Sequence, residues 1–145
     1  MRMKLLNDGS ERTVAIVFEC GEEPMAGLTR FAQDHQLKAS RFSAIGAFDN
    51  ATLGYFEWDH KSYRRIFVHE QVEVLALLGD IALENERPRV HAHVVLGKQD
   101  GSTCGGHLLE ARVRPTLEVI VTESPAHMTR VFNDQAGLAL IDLDK

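Results

Sequence analysis

The sequence predicts an α+β domain, a largely antiparallel β-sheet with flanking helices. Three observations predict it. A single early segment, residues 24–36, carries the 3.6-residue apolar period of an amphipathic helix. From Ala39 onward the apolar residues fall into short strand-like runs separated by turn residues. Helix and strand do not alternate as they would in βαβ units.

The elements follow in order. Thr13 to Glu19 is apolar and β-branched and reads as a strand, which Gly21 ends. Pro24 suits the first turn of a helix, and Glu22 and Glu23 sit well against the positive end of its dipole. Leu28, Phe31, Ala32 and His35 give that helix one apolar stripe. Strand segments are expected over 40–47, 51–58, 63–69, 71–83, 89–97, 105–113 and 116–123. Asp49-Asn50, Asp59-His60, Glu84-Asn85, Asp100-Gly101 and Arg114-Pro115 supply the intervening turn chemistry. The run Val72 to Leu83 is long for one strand, and Gly79 within it suggests a bulge or bend. A short helix or turn is expected around 125–135, and a last strand over 138–143.

Composition bounds the function. The 145 residues, 44% of them apolar, amount to one domain, expected to span residues 1–145. Such a chain buries roughly two thirds of its unfolded surface and needs no disulfide or structural metal to fold. No apolar run reaches the roughly 20 residues that cross a bilayer. Met1 to Ser10 lacks the apolar stretch of a signal peptide, so a cytoplasmic location is expected. The net charge of −5 argues against a face built for phosphate contacts. No glycine-rich phosphate-binding motif of either common type occurs. Cys20 and Cys104 lack metal-site spacing and read as small buried hydrophobes.

The histidines are more informative. His91 and His93 are two apart on one expected strand, so both face the same way and Ala92 faces opposite. Whether His107 joins them depends on the hairpin between. With a two-residue turn at Asp100-Gly101, His107 opposes Val94 and points away from His93. With the three-residue loop Gln99-Asp100-Gly101, a common type with glycine in the left-handed position, His107 opposes His93. Their Cβ atoms then lie about 5 Å apart, with His91 diagonal at about 7–8 Å. Three such imidazoles can converge on one metal ion and leave an open position on tetrahedral zinc. Gly105 and Gly106 relieve crowding beside His107, and Cys104 falls on the opposite face. Histidine pairs of this spacing also occur by chance in strands, so packing stays open as the plainer reading. His35, His60, His69 and His127 read as packing or boundary residues, and Trp58, Tyr55 and Phe56 as sheet packing.

The segments Ala44-Ile45-Gly46-Ala47-Phe48, Val72 to Ile81, Pro88-Arg89-Val90-His91-Ala92-His93, Asp100-Gly101, Gly105-Gly106-His107-Leu108 and Thr116-Leu117-Glu118-Val119 together resemble the PPC domain, conserved in plants and prokaryotes. The chain resembles its stand-alone prokaryotic type from about residue 10 onward. The resemblance implies an antiparallel sheet assembled as a homotrimer. It also implies a divalent metal, usually zinc, on His91, His93 and His107. The family's DNA-binding label belongs largely to plant members with AT-hooks, and Glu86-Arg87-Pro88-Arg89 lacks the glycine of an AT-hook core. A more distant architectural similarity to alpha-acetolactate decarboxylase suggests a zinc-dependent decarboxylase, lyase or hydrolase of a small acid. On that reading Arg89, which shares the parity of the histidines, binds a carboxylate, and Glu118 acts as acid, base or supporting partner. Three readings therefore stand: a trimeric metal-binding protein with a regulatory or small-molecule role and a small acidic ligand at its metal, a zinc enzyme, and a DNA-binding protein.

Overall fold

Alternation of apolar residues draws most of the chain into strands. The computed structural model describes residues 1–144. After an N-terminal strand β1 (Arg2–Asp8), β2 (Arg12–Glu19) buries Val14, Ile16 and Phe18 on one face. Helix α1 (Pro24–Asp34) starts on Glu23, whose carboxylate accepts hydrogen bonds from the backbone N–H groups of Met25 and Ala26. Its stripe of Leu28, Phe31 and Ala32 is buried as the spacing requires. Strands β3 (Ala39–Glu57), β4 (Ser62–Val68), β5 (Val72–Glu84), β6 (Arg87–Gly97) and β7 (Thr103–Glu123) follow. A hairpin of β8 (Thr129–Asn133) and β9 (Leu138–Asp142) is the last pair of strands among the described residues.

All nine strands among the described residues join one sheet, with β8 beside β5 as a short parallel pair and every other pairing antiparallel. The pairings β3–β5, β5–β6, β6–β7 and β7–β3 close a ring. The buried face of these strands, including Phe48, Leu53, Leu77, Val94, Leu96 and Leu108, makes one core with β2 and α1. No helix among the described residues is long and apolar enough to cross a membrane.

The expected sheet is present, with five corrections. The flanking helices reduce to α1, the one α-helix among the described residues. The helix or turn expected around 125–135 holds no helix: residues 134–135 are turn, and Thr129–Asn133 form β8, because pairing with β9 satisfies backbone groups that local propensity leaves undecided. Asp49-Asn50 and Arg114-Pro115 do not end strands; β3 and β7 run through both positions and bend at register shifts. Gly79 marks no bulge: it pairs regularly with Phe42 and Ala92, and the shift in β5 lies between Val74 and Ala76. Glycine stands there for close approach, since a Cβ would come within 2.2 Å of the Phe42 ring and 2.3 Å of the His91 carbonyl oxygen. Cys20, expected inside, is exposed, whereas Cys104 is half-buried against the core.

Candidate metal centre

The hairpin between β6 and β7 sets the site. Lys98 N–H donates to the Ser102 carbonyl at 2.8 Å, leaving the three-residue loop Gln99-Asp100-Gly101, with Gly101 at φ 82°. The register follows: His93 faces His107, Val95 faces Gly105, and Leu96 faces Cys104. Cys104 therefore points away from the histidines, as expected. Added Cβ atoms on Gly105 and Gly106 would lie 2.7 and 2.8 Å from backbone oxygens of Val94 and Gly54, so only glycine admits this approach.

His91, His93 and His107 converge. Each offers a ring nitrogen within 4.8 Å of the others'. The Nε2 atoms of His91 and His93 are 3.2 Å apart, close to the roughly 3.3 Å between two ligands of tetrahedral zinc. The Nδ1 of His107 is buried and has no hydrogen-bond partner, a costly arrangement for an imidazole that a bound cation would relieve. Burial, followed by the neighbouring charges of His91, His93 and Arg89, pushes the His107 pKa down to about 4. Burial and then His91 also lower that of His93. Both rings are thus held neutral, the form that ligates a metal. These donors fit a borderline cation such as zinc.

Two further residues act on the triad. Asp80 pairs with His91 across β5 and β6, and its Oδ2 lies 3.7 Å from His91 Nδ1. A carboxylate so placed fixes the orientation of the His91 ring, as partners of metal-ligating histidines do. Arg130 of β8, nine-tenths buried, donates from Nη2 to Asp80 Oδ1 at 2.6 Å and stands 3.3 Å from His91 Nδ1. Burial alone would raise the Asp80 pKa, but its contacts with His91 and Arg130 override this and hold the carboxyl below its usual range. Tyr63 lies against His107, ring centroids 4.7 Å apart, and burial raises its pKa so that it remains a donor.

A cavity of about 490 Å³ opens over the three histidines. Tyr63, Phe56, Arg89, Arg130 and Phe132 are among the residues that line it. Phe56, expected only to pack the sheet, is thus a cavity residue. Arg89 is exposed, sits on the histidine face, and is loosely paired with Glu84 at 3.6 Å. Arg89 and His107 also border a larger cavity, about 810 Å³, between α1 and β6. Glu118 is not part of this grouping: it is exposed, opposite Val17 and Ile45, on the far half of β7.

Sequence reasoning missed Asp80 and Arg130. Asp80 was reachable, because a two-residue turn at Asn85-Glu86, both at positive φ, sets Asp80 opposite His91. Nothing local connects Arg130 to the histidines.

The sequence model of the Plants and Prokaryotes Conserved (PCC) domain matches residues 6–125. The chain belongs to this family. Its fold closely matches that of a PPC protein of Pyrococcus horikoshii, with 29% identity, TM-score 0.84, and 97% of this chain and 94% of that one covered. A metal-containing protein of Archaeoglobus fulgidus is 30% identical, TM-score 0.83, over 97% and 96% of the two chains. A suspected DNA-binding protein of Bacteroides thetaiotaomicron is 27% identical, TM-score 0.88, over 99% of each. The distant similarity to the decarboxylase architecture holds at the level of fold: a Staphylococcus aureus protein of unknown function, described as similar to alpha-acetolactate decarboxylase, superposes with TM-score 0.54 at 12% identity over 83% of this chain and 53% of that one. Among curated proteins, the bifunctional protein GlmU of a Synechococcus strain is 30% identical over 125 residues, 85% of this chain. The match spans only 19% of that protein's length. The chain is therefore comparable in extent to these three solved chains and to a small part of GlmU.

Proposed function

We propose that this chain is a homotrimeric, cytoplasmic PPC protein, one domain over residues 1–145, that binds zinc and has a regulatory or small-molecule role exercised at that metal. His91, His93 and His107 are its ligands, and the remaining position takes water or a small oxyanion. The observation that carries the reading is the convergence of three imidazoles, one with an orphaned buried nitrogen, on the floor of an open cavity. Assembly is supported by the sheet face that continues from the site. His93 pairs with Leu78, Leu78 with Ser43, and Ser43 with Ile120, so these side chains share one face. Leu78 and Ile45 are each more than 60% exposed there, the kind of apolar surface another subunit covers.

A zinc enzyme acting on a small acid is the second reading, favoured by the cavity and the open coordination position. Arg89 would then hold the acid. Glu118 would need another subunit or another role, being outside the cavity. DNA binding has weaker support. Arg2, Arg64, Arg65, Arg89, Arg114 and Arg130 are each paired with a carboxylate, and the net charge is −5.

Metal analysis of the untagged protein tests the reading. One zinc per chain is expected, and none in His93→Ala, which should remain folded because His93 is exposed. Light scattering should give three times the 16.2 kDa chain mass. A His93→Ala protein that keeps stoichiometric zinc would refute the site, and a monomer would refute the assembly.

A further inference from the structure

The family match ends at residue 125, yet a wall of the histidine cavity comes from beyond it. Arg130 and Phe132 are two apart on β8 and so share a face. Arg130 reaches Asp80 and His91 from that face, so Phe132 projects toward the histidines as well. Phe132 lines the cavity and remains 64% exposed, a large apolar ring with nothing covering it. Phe56 and Tyr63 line the same cavity, edge to face with ring centroids 5.2 Å apart, with Tyr63 against His107. The cavity thus has a histidine floor and aromatic walls, and its volume lies in the range of small-ligand sites.

Charge indicates what ligand it takes. Asp80 offsets Arg130, and Glu84 offsets Arg89. Imidazole is an uncharged ligand once it coordinates a metal, so a divalent ion held by three of them brings an uncompensated double positive charge. An oxyanion answers that charge, and the aromatic walls call for carbon attached to it.

We propose that the C-terminal hairpin, residues 129–142, is the specificity wall of this site, selecting a small carboxylate with an apolar substituent that packs against Phe132. The inference rests on the metal reading above and deepens it. The carboxylate faces the histidine floor. Arg130 fixes the hairpin at the right distance by bridging Asp80 and, through Nη1, the Ala139 carbonyl at 3.3 Å.

Calorimetry on the zinc-loaded full chain tests this with three probes: acetate, hexanoate and inorganic phosphate. Hexanoate is expected to bind at least tenfold more tightly than acetate, and phosphate more weakly than hexanoate. Phe132→Ala should shrink the hexanoate-to-acetate ratio about tenfold, the effect of uncovering part of one alkyl chain. Zinc stoichiometry and acetate affinity should not change, and Phe132→Leu should restore most of the ratio. Phe132 is exposed, so neither variant threatens the fold. Equal affinities for acetate and hexanoate, tighter binding of phosphate, or an unchanged ratio in Phe132→Ala would each overturn the proposal. Zinc measured in the same samples separates the two failures. A parent protein that takes no zinc overturns the metal reading and this proposal with it; one that takes zinc but prefers no apolar acid overturns this proposal alone.

Discussion

Two hairpins build the candidate centre, and they are held in different ways. The β6–β7 hairpin sits in the closed ring of strands, paired on both sides, with Val94, Leu96 and Leu108 in the core. The β8–β9 hairpin touches the sheet through two residue pairs, Leu83 with Thr129 and Glu84 with Arg130. Beyond these it relies on a few polar ties, among them Arg130 to Asp80 and Lys61 to the Gln135 carbonyl. The first hairpin fixes histidine geometry through register. The second positions a cavity wall through one buried arginine. Ligand convergence should therefore survive changes in the second hairpin, but not a change of parity in the first.

The largest effect should come from that parity. Deleting Thr103 while the Gln99-Asp100-Gly101 loop stays intact advances β7 by one residue, sets His107 opposite Val94 and moves it to the opposite face from His93. Stoichiometric zinc should be lost, while Thr103→Ala, which keeps the register at an exposed position, retains it. Equilibrium dialysis of both variants measures this, and full zinc binding by the deletion would break the parity argument.

A smaller loss is expected where the two hairpins meet. Asp80→Asn removes the negative charge that pairs with Arg130 and lies beside His91, and should weaken zinc binding by about 10–100-fold, as changes to groups that orient a ligand do. Limited proteolysis should at the same time show faster cleavage within 125–142 and unchanged protection of β6 and β7. If cleavage is unaltered, the arginine is not what holds the hairpin.

The smallest effect belongs to the loop glycine. Gly101→Ala forces a Cβ into the left-handed region but meets nothing within 4 Å, so the cost should be about 1 kcal/mol of unfolding free energy without loss of metal. Urea titration reads the first quantity and zinc competition the second.

The same contrast decides what the sequence could reveal. Period-two alternation and turn residues disclosed the sheet, and loop length with Gly101 disclosed that His93 and His107 share a face, because both are local. Asp80 was one step further, needing the register of the preceding hairpin as well. Arg130 was out of reach, since its partners Asp80 and His91 are 50 and 39 residues away along the chain. Strand β8 was missed for a related reason: tertiary pairing rather than propensity decides it. The turns expected at Asp49-Asn50 and Arg114-Pro115 failed because residues that often end strands can also occupy the bends of long ones.

X-ray absorption spectroscopy at the zinc edge of the reconstituted, untagged protein tests the central claim most directly. The predicted spectrum has three nitrogen scatterers at about 2.0–2.1 Å, accompanied by the outer-shell features of imidazole, with one oxygen and no sulfur. A sulfur contribution at about 2.3 Å would bring in Cys104 or Cys20, and a shell of oxygens alone would place the metal on surface carboxylates. Either result would contradict a centre built from His91, His93 and His107.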